Sequence, residues 1–124
     1  MRTSTDEECV DMGNHVLLNL YGCENLGRLR GLYDFEVWST TLLKKCGAVI
    51  VNTSGYQFDP VDTAGYTFFA LLTTSHFSIH TWPEHGSAAI DVFTCGKLVD
   101  TDQIVSEMIG YFEAACYVTR DVLR

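Results

Sequence analysis

The chain is poor in positive charge, in proline and in long apolar runs, and each shortage closes off a class of function. Eight Lys and Arg stand against sixteen Asp and Glu, a net charge of -8, which excludes the basic surface that nucleic acid or an anionic membrane requires. A cationic small molecule is the partner such a charge favours. No stretch approaches the ~18 apolar residues of a spanning helix. Residues 1–11 form a polar, acidic extension with neither the apolar core of a signal peptide nor that of an anchor. With two prolines, no repeat and no low-complexity tract, nothing marks a second domain, and the 124 residues read as one. Five cysteines, an odd number at irregular spacings and without a Cys-x-x-Cys pair, predict reduced thiols in a cytoplasmic protein in place of a disulfide framework.

What is present reads as alternating strand and helix. Residues 14–21 are rich in Val and Leu and predict a first strand, and 22–31 a loop. Asp34 then stands as an N-cap for a helix in which Phe35, Trp38, Leu42 and Cys46 recur at helical spacing. Lys44 and Lys45 fall in its last turn and Gly47 follows as C′. Strands are expected over 48–56 and 66–73, separated by a loop with Gly55, Pro60 and Gly65. Phe68-Phe69-Ala70-Leu71-Leu72 is apolar on both parities, so both faces of that strand need cover. Helices supply one cover; the other calls for a second sheet that one protomer lacks. Thr101 or Asp102 caps a helix carrying Ile104, Met108, Ile109 and Phe112 and ending near Cys116, with a last strand over 117–123. The fold class is α+β, a two-layer α/β sandwich with a mainly antiparallel sheet that dimerises into an αββα sandwich.

Residues 73–96 bring Ser75, His76, His80 and Cys95 into one strand-like segment. From Phe77 to Trp82 the residues alternate, Pro83-Glu84-His85-Gly86 supplies a turn, and 87–95 forms the return strand. A four-residue loop pairs Trp82 with Ser87 and His80 with Ala89, and places His80, Ala89, Asp91, Phe93 and Cys95 on one face. A slip of one residue would move Cys95 to the other. His76 and His80 have the i, i+4 spacing of a helical zinc pair, but on a strand they stand roughly 13 Å apart, too far to share an ion, and no metal is expected. A serine hydrolase is disfavoured because Thr-Thr-Ser-His-Phe offers no glycine for a nucleophile elbow. His15 reads as a structural histidine, His85 as a solvated turn residue, and Asp91 as either paired or part of an interface. Trp38 reads as core, and Cys9, Cys23, Cys46 and Cys116 as structural or incidental.

Ser75-His76, the run Ile79-His80-Thr81-Trp82-Pro83-Glu84, Asp91-Val92-Phe93-Thr94-Cys95-Gly96 and the upstream Gly13-Asn14-His15-Val16-Leu17-Leu18-Asn19-Leu20-Tyr21-Gly22-Cys23 together resemble the prokaryotic S-adenosylmethionine decarboxylases, small pyruvoyl-dependent enzymes of polyamine and spermidine biosynthesis. The resemblance implies a proenzyme that cleaves itself between Thr74 and Ser75, converting Ser75 into a pyruvoyl group that forms a Schiff base with the substrate amine. It implies His80 as the processing base, a task that an imidazole with an unperturbed pKa near ~6.5 suits. Cys95 becomes the proton donor to the substrate carbon, and Thr67 a second processing hydroxyl where the family usually has serine. Phe58, Trp82 and Glu84 would line the substrate pocket. The cofactor is then a pyruvoyl group derived from Ser75, without metal, in a homodimer of cleaved protomers with active sites near its interface. Thr74 stands where the family usually has glutamate. Relatives on the same scaffold decarboxylate ornithine or arginine, so those substrates stay open beside S-adenosylmethionine, as does a catalytically dead regulatory relative.

Overall fold

The computed structural model describes residues 11–95 and 98–124; Cys9, Gly96 and nearly all of the N-terminal extension lie outside them. In chain order the elements are β1 (Asn14–Tyr21), α1 (Leu26–Arg30), α2 (Leu32–Lys45), β2 (Ile50–Gln57), β3 (Tyr66–Leu72), β4 (His76–Trp82), β5 (Ser87–Thr94), α3 (Thr101–Phe112) and β6 (Cys116–Leu123). The strands form one antiparallel sheet in the order β2-β3-β4-β5-β1-β6. Helices α2 and α3 pack against it through β2, β3 and β1. Strand alternation sends Leu18, Leu20, Phe68, Ala70, Phe77, Ile79, Ile90 and Val92 into this layer, all buried.

Phe35 of α2 is the centre of the core. It is fully buried, and the rings of Trp38, Tyr66, Phe68, Phe77, Tyr111 and Phe112 lie 5.5 to 6.2 Å from its own. Truncation there removes a partner from two strands and two helices at once. Phe35→Ala is expected to lower stability by about 3–5 kcal/mol, the range for a buried phenylalanine, as read from the urea midpoint; a loss below 1 kcal/mol would contradict this packing. Two polar contacts fix how α1 meets the sheet: the Tyr66 hydroxyl donates to the Arg28 carbonyl at 2.9 Å, and the Thr81 hydroxyl donates to the Leu29 carbonyl at 2.7 Å. Burial pushes the Tyr66 phenol far up, keeping it a neutral donor.

Local signals account for where the elements differ from expectation. The stretch expected as loop contains α1, whose Asn25 side chain accepts from the Arg28 N–H and whose Leu29 alone is buried. A five-residue helix is too short to show an apolar period. α2 begins at Leu32, so Asp34 lies in its first turn and not at the cap. Its end is as expected, with Gly47 at φ +100°, where an added Cβ would run into the Leu98 carbonyl. The cap of α3 is Asp100, which accepts from the Gln103 N–H at 3.1 Å, in place of Thr101 or Asp102. That helix stops at Phe112 because Glu113 adopts the left-handed conformation, four residues before the expected end near Cys116.

Candidate active site

The β4–β5 hairpin has the expected register: Trp82 faces Ser87, His80 faces Ala89 and His76 faces Phe93. The β3–β4 register adds Thr67 opposite His80 and Leu71 opposite His76. Since buried residues alternate with these, the face away from the helices carries Thr67, Phe69 and Leu71 of β3, His76, Ser78, His80 and Trp82 of β4, and Ala89, Asp91 and Phe93 of β5. Among the described residues nothing covers that face, on which Phe69, Leu71 and Trp82 are exposed to 39%, 44% and 42%.

Ser75 sits in the turn that joins β3 to β4. The turn is held by the Leu72 N–H donating to the Ser75 carbonyl and the Thr73 N–H donating to the Val49 carbonyl, each at 3.0 Å. The Thr74 and Ser75 hydroxyl oxygens are 3.2 Å apart. Cys95, just past the end of β5, donates its thiol to the Thr74 carbonyl oxygen at 3.1 Å. The carbonyl before Ser75 therefore meets a donor that belongs to a residue twenty-one positions away. Gly47, Ala48, Val49, Leu98 and Val99 close a small cleft around this group. Burial pushes the Cys23 and Cys46 thiols up and keeps them protonated.

The other expected residues gather elsewhere. His80 Nδ1 and the Thr67 hydroxyl are 2.9 Å apart at the far end of the β3–β4 hairpin. Trp82 follows with its ring 6.2 Å from His80, Glu84 lies exposed in the single 3-10 turn Pro83–His85, and the Phe58 N–H donates to the Gly65 carbonyl beside the start of β3. Five residues of extended chain separate Ser75 from His80, roughly 16 Å at the rise of a strand. The expected residues thus fall into two groups, Thr74, Ser75 and Cys95 at one end of the β3–β4 hairpin, and Phe58, Thr67, His80, Trp82 and Glu84 at the other.

Between these two groups lies a third that the sequence reading did not assemble. His76 Nε2 is 2.9 Å from Asp91 Oδ1, and His15 Nε2, on β1, is 3.7 Å from the same oxygen. Asp91 is accordingly paired. Strand parity put Asp91 on this face, but nothing in the sequence placed β1 beside β5, which is the pairing that delivers His15.

Comparison with known proteins gives the same picture across nearly the whole chain. The family model described as S-adenosylmethionine decarboxylase matches residues 14–124. A relative from Methanococcus maripaludis, named S-adenosylmethionine decarboxylase proenzyme, is 37% identical over 113 residues, covering 91% of this chain and 89% of its own. Proteins of the same name from Parasynechococcus marenigrum and Pyrobaculum aerophilum are each 42% identical, over 91% and 80% of this chain and 77% and 80% of theirs. The crystal structure of the adenosylmethionine decarboxylase from Aquifex aeolicus superposes with a TM-score of 0.82 at 29% identity, covering 94% of this chain and 92% of that one. The family model, the sequence relatives and the superposed structure agree, and the chain belongs to the S-adenosylmethionine decarboxylase family.

Proposed function

We propose that this chain is a self-processing, pyruvoyl-dependent decarboxylase of S-adenosylmethionine, feeding polyamine synthesis in the cytoplasm. The observation that carries the processing step is the 3.1 Å contact between the Cys95 thiol and the Thr74 carbonyl oxygen. A donor on that oxygen polarises the carbonyl and offsets the negative charge that develops on it when the neighbouring Ser75 hydroxyl attacks. The Ser75 oxygen bonds to the Thr74 carbon, the C–N bond breaks, and the amide becomes an ester with a free amine. A base then takes the Ser75 α-proton while the C–O bond breaks, releasing the Thr74 carboxylate. The dehydroalanine left behind tautomerises and hydrolyses, losing ammonia to give the pyruvoyl group. That group supplies an electrophilic carbonyl, absent from all twenty side chains, which holds the substrate amine and accepts the electrons left by carbon dioxide.

Atom positions support the remaining roles. Cys95, already beside position 75, holds a proton where the substrate carbon must receive one. His80 is the base for ester elimination, its ring oriented by Thr67. At roughly 16 Å it reaches no Ser75 of its own chain, so the partner in a homodimer supplies it. Stacking two uncovered faces about ~10 Å apart, around a two-fold axis that runs across the strands near Ser78, sets each Ser75 end over the other protomer's His80 end. The exposed Phe69, Leu71 and Trp82 are the apolar surface such stacking buries. Phe58, Trp82 and Glu84 then complete the pocket across the interface, with the carboxylate suited to hydroxyl groups and the aromatics to a flat or cationic one. Among the described residues no helix is long and apolar enough to cross a membrane.

Carbon dioxide release from S-adenosylmethionine, ornithine and arginine, assayed in parallel on mature protein, together with hydrazine labelling of a separate sample, tests the reading. Release from the sulfonium compound alone, with the label on the fragment that begins at position 75, is expected. Activity on ornithine or arginine only would overturn the substrate, and a protein inert to hydrazine would overturn the mechanism.

A further inference from the structure

The His15, His76 and Asp91 group takes no part in the chemistry above, yet its atoms converge. The ligand-type atoms of all three lie within 4.8 Å of one another. A tetrahedral ion with bonds of about 2.0–2.1 Å needs donor–donor edges of about 3.3 Å; the edges from Asp91 Oδ1 to the two Nε2 atoms, 2.9 and 3.7 Å, bracket it. His15 Nε2 is buried and has no hydrogen-bond partner, a state that costs free energy unless something fills the space beside it. Both imidazoles are also held in place. The Phe93 ring lies 5.8 Å from His15 and 6.0 Å from His76, and Phe69 stacks on His76 at 5.7 Å and 19°. Three donors on three neighbouring strands, fixed by an aromatic collar, form a site and not a chance meeting of mobile surface groups.

We propose that His15, His76 and Asp91 bind one zinc ion per protomer on the sheet face, through both Nε2 atoms and one carboxylate oxygen, with a fourth position left for water. Two neutral imidazoles and one carboxylate suit zinc and its neighbours among the divalent transition metals, and disfavour magnesium, which prefers oxygen ligands. Each ring binds through Nε2 with its proton on Nδ1, so ion binding displaces any proton that His76 shares with Asp91. The site is independent of the cleavage chemistry, since it uses neither Ser75 nor Cys95.

The test uses the uncleavable Ser75→Ala chain, in which zinc binding and self-processing are separated. Protein expressed with added zinc is expected to retain one equivalent per protomer by mass-spectrometric metal analysis, and cobalt substitution should give the intense visible bands of a four-coordinate ion. His15→Gln and Asp91→Asn should each weaken zinc binding by more than about a hundredfold, beyond the 10–100-fold that loss of an outer-shell partner costs. His85→Gln, on the neighbouring turn, should bind as the parent does. Asp91→Asn keeps the shape of the side chain, so it carries the test should His15→Gln fail to fold. Substoichiometric zinc in the parent, equal binding by magnesium, or full retention in Asp91→Asn would each overturn the proposal.

Discussion

Ser75→Ala is expected to purify as one uncut chain of 124 residues, to take up no hydrazine and to release no carbon dioxide above background. The parent should instead give two fragments, residues 1–74 and 75–124, the later one beginning with a ketone. The effect is total because the hydroxyl is consumed in making the group on which turnover depends; no neighbouring side chain can replace it in the same geometry. Even the Thr74 hydroxyl, 3.2 Å from that of Ser75, belongs to the residue whose own carbonyl is attacked. Cys95→Ala is the contrasting variant. It removes a weak donor from the Thr74 carbonyl and should still be cut, more slowly, while turnover falls by about 10²–10⁴-fold, the usual contribution of a positioned acid. A cut Ser75→Ala chain, or a fully active Cys95→Ala, would remove the corresponding assignment.

Co-expression of Ser75→Ala with His80→Ala is expected to restore cleavage that neither variant shows alone. In a mixed dimer the His80→Ala chain keeps its Ser75 and meets an intact His80 from the other protomer, so one site of two is whole. Only the His80→Ala chain should be cut, which differently tagged copies resolve by mass. If both residues acted within one protomer, every site would lack one of them and no fragment would form. The prediction rests on distance along β4, since Ser75 lies in the turn just before its first residue and His80 stands toward its other end.

That separation also marks the limit of what could be read before the fold was known. Alternation from Phe77 to Trp82 and the four turn residues were enough to give the β4–β5 register residue by residue, and with it Cys95 on the side of His80. Parity, however, says which face a side chain takes and nothing about which end of the sheet it occupies. The motif therefore read as one cluster where the fold sets Ser75 and His80 in two separate groups. α1 escaped because a single buried leucine gives no period. The His15, His76 and Asp91 group escaped because β1 inserts between β5 and β6, a placement set by packing rather than by any local signal. The apolar exposed parity of β3 was visible in Phe69 and Leu71, and both do stand uncovered.

The strand order carries a last consequence. Cutting the β3–β4 turn assigns β1, β2 and β3 to one fragment and β4, β5 and β6 to the other, yet across the sheet the owners alternate, with β1 lodged between β5 and β6. Neither piece retains a contiguous half of the sheet, so they stay interlocked by the β3–β4 ladder and by the ladders on both sides of β1. Before the cut, refolding is a first-order event; afterwards the two pieces must find each other again, and recovery from denaturant becomes second order in protein. The proposed cleavage would thereby turn one covalent chain into two pieces whose reassembly depends on dilution.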